Sequence, residues 1–206
     1  MGKRIISILM AMAILVQAIP VMTVLAEGSG NKAKDEVDFG VKSVSLGSWH
    51  SAAVTTNGDL YCWGYNTYGQ VGDGTRRTQT SPVKILENVD AISLGGYHSA
   101  AITTNGDLYC WGDNYCGQLG NGTIIGCSDT PIKILGNVVD VSLGERHSAA
   151  ITTSGDLYCW GDNEYGQVGS GTTTNQATPV KILGNVSAVS LGRSHSAAVT
   201  TSGDLY

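Results

Sequence analysis

Histidine occurs four times in this 206-residue chain, at His50, His98, His147 and His195, at intervals of 48, 49 and 48 residues. Around each one runs the same text: Ser-Leu-Gly-x-x-His-Ser-Ala-Ala-(Val/Ile)-Thr-Thr-(Asn/Ser)-Gly-Asp-Leu-Tyr. The first three copies continue through Cys-Trp-Gly-x-Asn-x-x-Gly-Gln-(Val/Leu)-Gly-x-Gly-Thr to Pro-(Val/Ile)-Lys-Ile-Leu. A repeat of about 50 residues belongs to propeller-type or solenoid architectures, where no unit buries its apolar sides alone. The units fall at about 41–90, 91–139 and 140–188, with a partial copy at 189–206. The second carries one extra residue between Gly122 and Pro131, which marks that segment as surface loop.

Within each unit the pattern is β. Residues 51–56 and 59–63 are strand-like runs joined at Asn57-Gly58, a pair suited to a type I′ hairpin turn. Asn105-Gly106 repeats it, and Ser154-Gly155 and Ser202-Gly203 are weaker versions. Leu60 and Cys62 face one way while Tyr61 and Trp63 face the other, so both sides of the sheet need cover. Residues 84–86 and 91–94 supply a third and fourth short strand. The 28 glycines and the charged fraction of only 14% agree with many turns and few helices. The expected fold is all-β: propeller blades of four antiparallel strands, in about three and a third repeats.

The frame Gly-x-x-His-Ser-Ala-Ala…Gly-Asp-Leu-Tyr-Cys-Trp-Gly-x-Asn-x-x-Gly-Gln resembles the repeat of the regulator-of-chromosome-condensation family. Kelch repeats want a Gly-Gly pair in every unit, and only Gly95-Gly96 occurs here; WD-type repeats want Trp-Asp where this chain has Trp-Gly. The resemblance implies a seven-bladed propeller, which three and a third units cannot close. The expectation is the N-terminal portion of a longer protein, with two copies sharing one ring as the alternative. The open blade edges invite self-association.

The N-terminus reads as an export signal. Lys3 and Arg4 precede an uncharged apolar run, Pro20 breaks it, and Val24-Leu25-Ala26 offers small residues for cleavage after Ala26. Residues 1–26 are thus a signal peptide and 27–40 a flexible polar leader; a retained membrane anchor is the rival reading. The expected location is secreted or cell surface. Removal of the signal leaves ten basic residues against 17 acidic, a poor match to nucleic acid or an anionic membrane.

Candidate chemistry loses to building roles. A ring of imidazoles could bind metal, but His50, His98, His147 and His195 belong to different units, too far apart for one coordination shell. They read as structural hydrogen-bonders to neighbouring backbone, alongside Trp63, Trp111 and Trp160. Cys62, Cys110 and Cys159 read as small buried hydrophobes. Cys116 and Cys127 fall outside the frame, and oxidation could join them. No catalytic motif and no cofactor site is expected, so the chain is read as a non-enzyme.

What varies between units is more informative. The residues before each histidine are Ser48-Trp49, Gly96-Tyr97, Glu145-Arg146 and Arg193-Ser194. The Asn turns carry Tyr65, Tyr68, Asp113, Tyr115, Asp162, Glu164 and Tyr165. A constant frame with loops varied in aromatic and charged content is how a rigid scaffold presents a recognition surface. Trp49, Tyr97, Arg146, Tyr65, Tyr115 and Tyr165 are the candidate contact residues. The leading expectation is an exported scaffold that binds protein or polysaccharide. Guanine-nucleotide exchange on a small GTPase, which the family resemblance suggests, is the alternative, as is the non-catalytic part of a longer secreted enzyme.

Overall fold

The computed structural model describes residues 40–206, so the expected signal peptide (1–26) and, but for Gly40, the expected leader (27–40) lie outside the described residues. Fourteen strands form three four-stranded antiparallel sheets and one two-stranded sheet. Blade 1 is β1 (Val41–Leu46), β2 (His50–Thr55), β3 (Leu60–Gly64) and β4 (Gln79–Leu86). Blade 2 is β5 (Val89–Leu94), β6 (His98–Thr103), β7 (Leu108–Asp113) and β8 (Cys127–Leu135). Blade 3 is β9 (Val138–Leu143), β10 (His147–Thr152), β11 (Leu157–Gly161) and β12 (Gln176–Leu183). The half blade is β13 (Val186–Leu191) with β14 (Ser196–Thr200). Each sheet is a meander in chain order, as expected for propeller blades.

Two local expectations need correction. Residues 91–94 are not the last strand of their own unit: they lie in β5, the first strand of the next blade. A blade therefore opens with the strand before its histidine. The hairpins are not type I′ turns either. Gly58 has φ +87, but Asn57 is absent from the positive-φ residues, and the Gly58 amide donates to the Thr55 carbonyl at 2.9 Å. That is a type I turn closed by a left-handed glycine. The Thr55 hydroxyl accepts from the Asp59 amide at 3.0 Å and completes the loop. Because the residue before the glycine keeps negative φ, serine at Ser154 and Ser202 is as well suited as asparagine.

The core sits between sheets. Ala52, Val54, Leu60, Cys62 and Val71 of blade 1 pack against Val89, Leu94, Ala101 and Trp111 of blade 2. The same layer recurs between blades 2 and 3, where Leu108, Cys110 and Leu119 meet Val141, Leu143 and Trp160. The alternation in β3, β7 and β11 thus sends one face forward and the other back, burying both. First strands touch first strands along the chain, and a serine bolts each to the next. Leu94 N donates to Ser45 Oγ at 3.1 Å, Leu143 N to Ser93 Oγ at 3.1 Å, and Leu191 N to Ser142 Oγ at 3.0 Å. Pro82, Pro131 and Pro179 fall in the edge strands where register slips between the Cys and Gly partners of the third strand. A residue without an amide proton suits an edge and discourages foreign pairing.

Candidate functional site

Strand direction divides each blade into two ends. The Gly-x-x turns before the histidines and the long third-to-fourth-strand loops share one end, called upper here; the tight hairpins and interblade turns share the other. The upper end holds both the constant polar frame and the variable residues.

The constant frame is a relay across each seam. His50 Nε2 lies 2.8 Å from Ser99 Oγ on the next blade, and Ser99 Oγ donates to the Gln70 carbonyl at 2.7 Å. The Trp111 indole N–H donates to that same carbonyl at 2.9 Å. At the next seam His98, Ser148, Gln118 and Trp160 repeat it at 3.0, 2.8 and 2.9 Å. Ser99 has one proton and spends it on Gln70, so His50 must donate and its Nε2 carries the hydrogen. Nδ1 is then a bare acceptor, buried without a partner, in His50, His98 and His147 alike. Burial pushes the imidazoles down, to about 4 for His50 and about 4 for His147. For His98, with histidines on both flanking blades, the value falls to about 3, burial being the larger cause. The expected backbone partner for these histidines is thus a serine hydroxyl from the following repeat.

Close approach dictates the glycine before each histidine. A Cβ on Gly95 would meet the Gly144 carbonyl and the His98 ring, both at 2.5 Å. Gly72 lies flat under Trp111, where a Cβ would reach the indole nitrogen at 2.6 Å. Trp111 and Trp160 are fully buried, whereas Trp63 is half-buried and His195 exposed. The upper loops are fixed from within by amides: Asn66 Nδ2 donates to Asp73 and to the Thr75 carbonyl at 3.0 Å, and its Oδ1 accepts from Val71 N at 2.9 Å. Burial raises the thiols of Cys62, Cys110 and Cys159, which suits apolar filler and not a nucleophile.

On this frame the variable residues form an arc. Within blades, Tyr65 N donates to the Trp49 carbonyl, Asp113 N to Tyr97 and Asp162 N to Arg146, each at 2.9 Å. Across the first seam Tyr65, Tyr68 and Tyr97 cluster edge to face, with ring centroids 6.5, 6.4 and 5.2 Å apart. At the equivalent positions of the second seam stand Asp113, Cys116 and Arg146. Arg146 lies against the Cys116 thiol with the Asp113 carboxylate beside it. Asp113 is only 4% exposed, and burial lifts its carboxyl above the usual range despite bonds from Tyr115 N and Gln118 Nε2.

Six residues were expected at a contact face, and all six lie at the upper end. Trp49 is 62% exposed and Tyr97 half-buried; both line a cleft of about 730 Å³ formed by the Gly-x-x turns of all four repeats, with Glu145 and Arg193 ion-paired across it. The structure joins Tyr65 to Tyr97, sets Arg146 one seam further on, and leaves Tyr115 and Tyr165 projecting from loops. Tyr68 and Asp113 complete the two clusters and were not singled out; superimposing the Asn turns of successive repeats carries that signal. Cys116 and Cys127 stand here as two separate thiols. Cys127 is drawn into β8 opposite Asp113, while Cys116 turns toward Arg146. Among the described residues no three His, Cys, Asp or Glu side chains gather as a metal site.

A family model described as the RCC1-like domain matches residues 19–206. The chain belongs to the RCC1-like domain family. Among solved structures, yeast Prp20p superimposes with a TM-score of 0.71 at 24% identity, covering 77% of this chain and 43% of that one. Yeast RCC1 (Prp20) bound to Kap60 gives 0.72 at 25% identity, covering 82% and 43%. Curated relatives match over one repeat's length. Human E3 ubiquitin-protein ligase HERC2 is 46% identical over 48 residues, 22% of this chain and 1% of that protein. The ultraviolet-B receptor UVR8 of Arabidopsis thaliana is 44% identical over 45 residues, 22% of this chain and 10% of that one. This RCC1-like chain therefore spans less than half of these solved neighbours and a small part of the curated relatives.

Proposed function

We propose that the chain is a non-enzymatic recognition scaffold that acts outside the cell and binds a protein partner through its upper face. One observation carries the reading: the relay of His, Ser, Gln and Trp is repeated seam after seam, while the residues directly above it change from three tyrosines to Asp, Cys and Arg. Positions that build the fold must recur, whereas positions selected by a partner need not. The buried imidazoles and the three recurring thiols favour the same view, since the imidazoles are committed to serines and the thiols are held as neutral filler. Protein as the partner class draws support from the solved neighbours, where Prp20p was described with its binding to Gsp1p and histones and yeast RCC1 with Kap60 bound. Action outside the cell rests on the sequence of residues 1–26.

The test places a photo-crosslinking amino acid at Trp49 or Arg146, and as control at Asn57 or Ser154 on the lower end. Protein adducts from the upper positions alone are the expected result, and adducts from the lower positions alone would overturn the reading. Secreted material should begin at Glu27 by N-terminal sequencing; an intact Met1 in the mature protein would refute cleavage.

A further inference from the structure

Resting on that reading, we propose that the seam between blades 1 and 2 is the docking site for an acidic peptide segment carrying an aromatic or proline side chain. Three observations converge there. The first is the ring cluster. Tyr65, Tyr68 and Tyr97 stand edge to face at 62 to 65°, with the exposed Trp49 held beside them through its backbone bond to Tyr65. Rigid aromatic rings left partly open to water are typical anchors for an incoming apolar side chain.

The second is the placement of the cations. Every described lysine is ion-paired: Lys42 with Asp90, Lys84 with Asp59 and Glu87, Lys133 with Asp107, and Lys181 with Asp156. The described arginines are all at the upper end instead. Arg76 and Arg77 occupy the loop that follows Tyr68 at this seam. Arg76 has its nearest carboxylate, Asp129, at 3.9 Å, and Arg77 is exposed with no ion pair among the described residues. The loop's own acid, Asp73, is turned inward and tied down by Asn66, Thr75 and Gln79. Two exposed guanidinium groups thus sit in the loop that carries Tyr68, Arg77 without an ion pair and Arg76 held only by the long contact to Asp129, and both are suited to carboxylates.

The third is the contrast along the face. In a chain of net charge −5, the blade 1 loop carries two arginines against one tied acid. The equivalent loop of blade 2 carries only Asp113, and that of blade 3 carries Asp162 and Glu164 with no cation. An acidic segment is drawn to the first seam and repelled from the third blade, which sets its position along the face.

The probe is a fluorescein-labelled synthetic decapeptide alternating glutamate with tyrosine and proline, titrated by anisotropy against the full 206-residue chain. Binding is expected to weaken about tenfold in the Arg76→Glu/Arg77→Glu variant and in Tyr97→Ala, and to fall with added salt. Because the arginine loop is exposed, that double variant retains the fold, checked by its melting curve. Unchanged affinity in the folded double variant would overturn the site. So would equal binding of a peptide with lysine in place of glutamate, or of an acidic oligosaccharide of the same charge. If the peptide fails while Trp49 and Arg146 still crosslink to a protein, the docking site is wrong and the scaffold reading stands; if crosslinking fails as well, both fall.

Discussion

The seams between blades 1 and 2 and between blades 2 and 3 are the same joint beneath and different surfaces above. Beneath, His50, Ser99, Gln70 and Trp111 reproduce the bonds of His98, Ser148, Gln118 and Trp160 to within 0.2 Å. Above, one joint carries three packed tyrosines and the other a buried carboxylate, a thiol and a guanidinium. The relay's hydroxyl and indole both close on the glutamine carbonyl, so the two layers touch only through the glutamine side chain: Gln118 Nε2 donates to Asp113 at 2.8 Å, whereas Gln70 Nε2 has no hydrogen-bond partner beneath Tyr65. Such a joint keeps the same seam bonds in both places while the upper layer changes chemistry, at the cost of one unpaired amide proton donor under the tyrosines.

Acid should strike both joints at once and most strongly. The folded imidazoles lie at about 4, 3 and 4 for His50, His98 and His147, below the usual 6.5, so the unfolded chain binds protons first as pH falls. Stability is full above about pH 6.5 and is lost on the way down to about 4 for His50 and His147 and about 3 for His98, at up to about 1.4 kcal/mol per pH unit for each imidazole. Urea midpoints measured at pH 7.5, 6 and 5 check this, and a flat profile would show that the folded joints do not hold their imidazoles neutral. Removing one indole is next in size. Trp111→Ala and Trp160→Ala should each cost about 3–5 kcal/mol and agree within about 1 kcal/mol, by urea unfolding. Unequal losses would show that the surface chemistry reaches down into the joint. Smallest is the exchange of the upper layer: Tyr65→Asp, Tyr68→Cys and Tyr97→Arg together should move stability by less than about 1–2 kcal/mol while abolishing binding of the acidic aromatic peptide.

Much of this was legible in the letters, and the rest hid for identifiable reasons. The histidine period and the all-β alternation announce stacked sheets, and Trp63, Trp111 and Trp160 show which strand faces its neighbour. The histidine's partner was not legible because it lies 49 or 50 residues away, in the Ser of the next His-Ser pair. The turn type was missed because Asn-Gly favours more than one turn, and the Thr55 hydroxyl decides between them. Which variable residues meet was hidden by chain order: Tyr68 and Tyr97 are far apart in sequence yet 5.2 Å apart across a seam.

The carbonyl of Gln70 receives Ser99 and Trp111, which follow it by 29 and 41 residues, and Gln118 waits likewise for Ser148 and Trp160. A newly translated unit is therefore left unlatched until most of its successor has left the ribosome. Consolidation trails synthesis by one module, at about 5–20 residues per second a delay of a few seconds. During that interval the nascent polypeptide's freshest apolar side is bare, and any codon pause placed there lengthens its exposure to chaperones and to neighbouring chains.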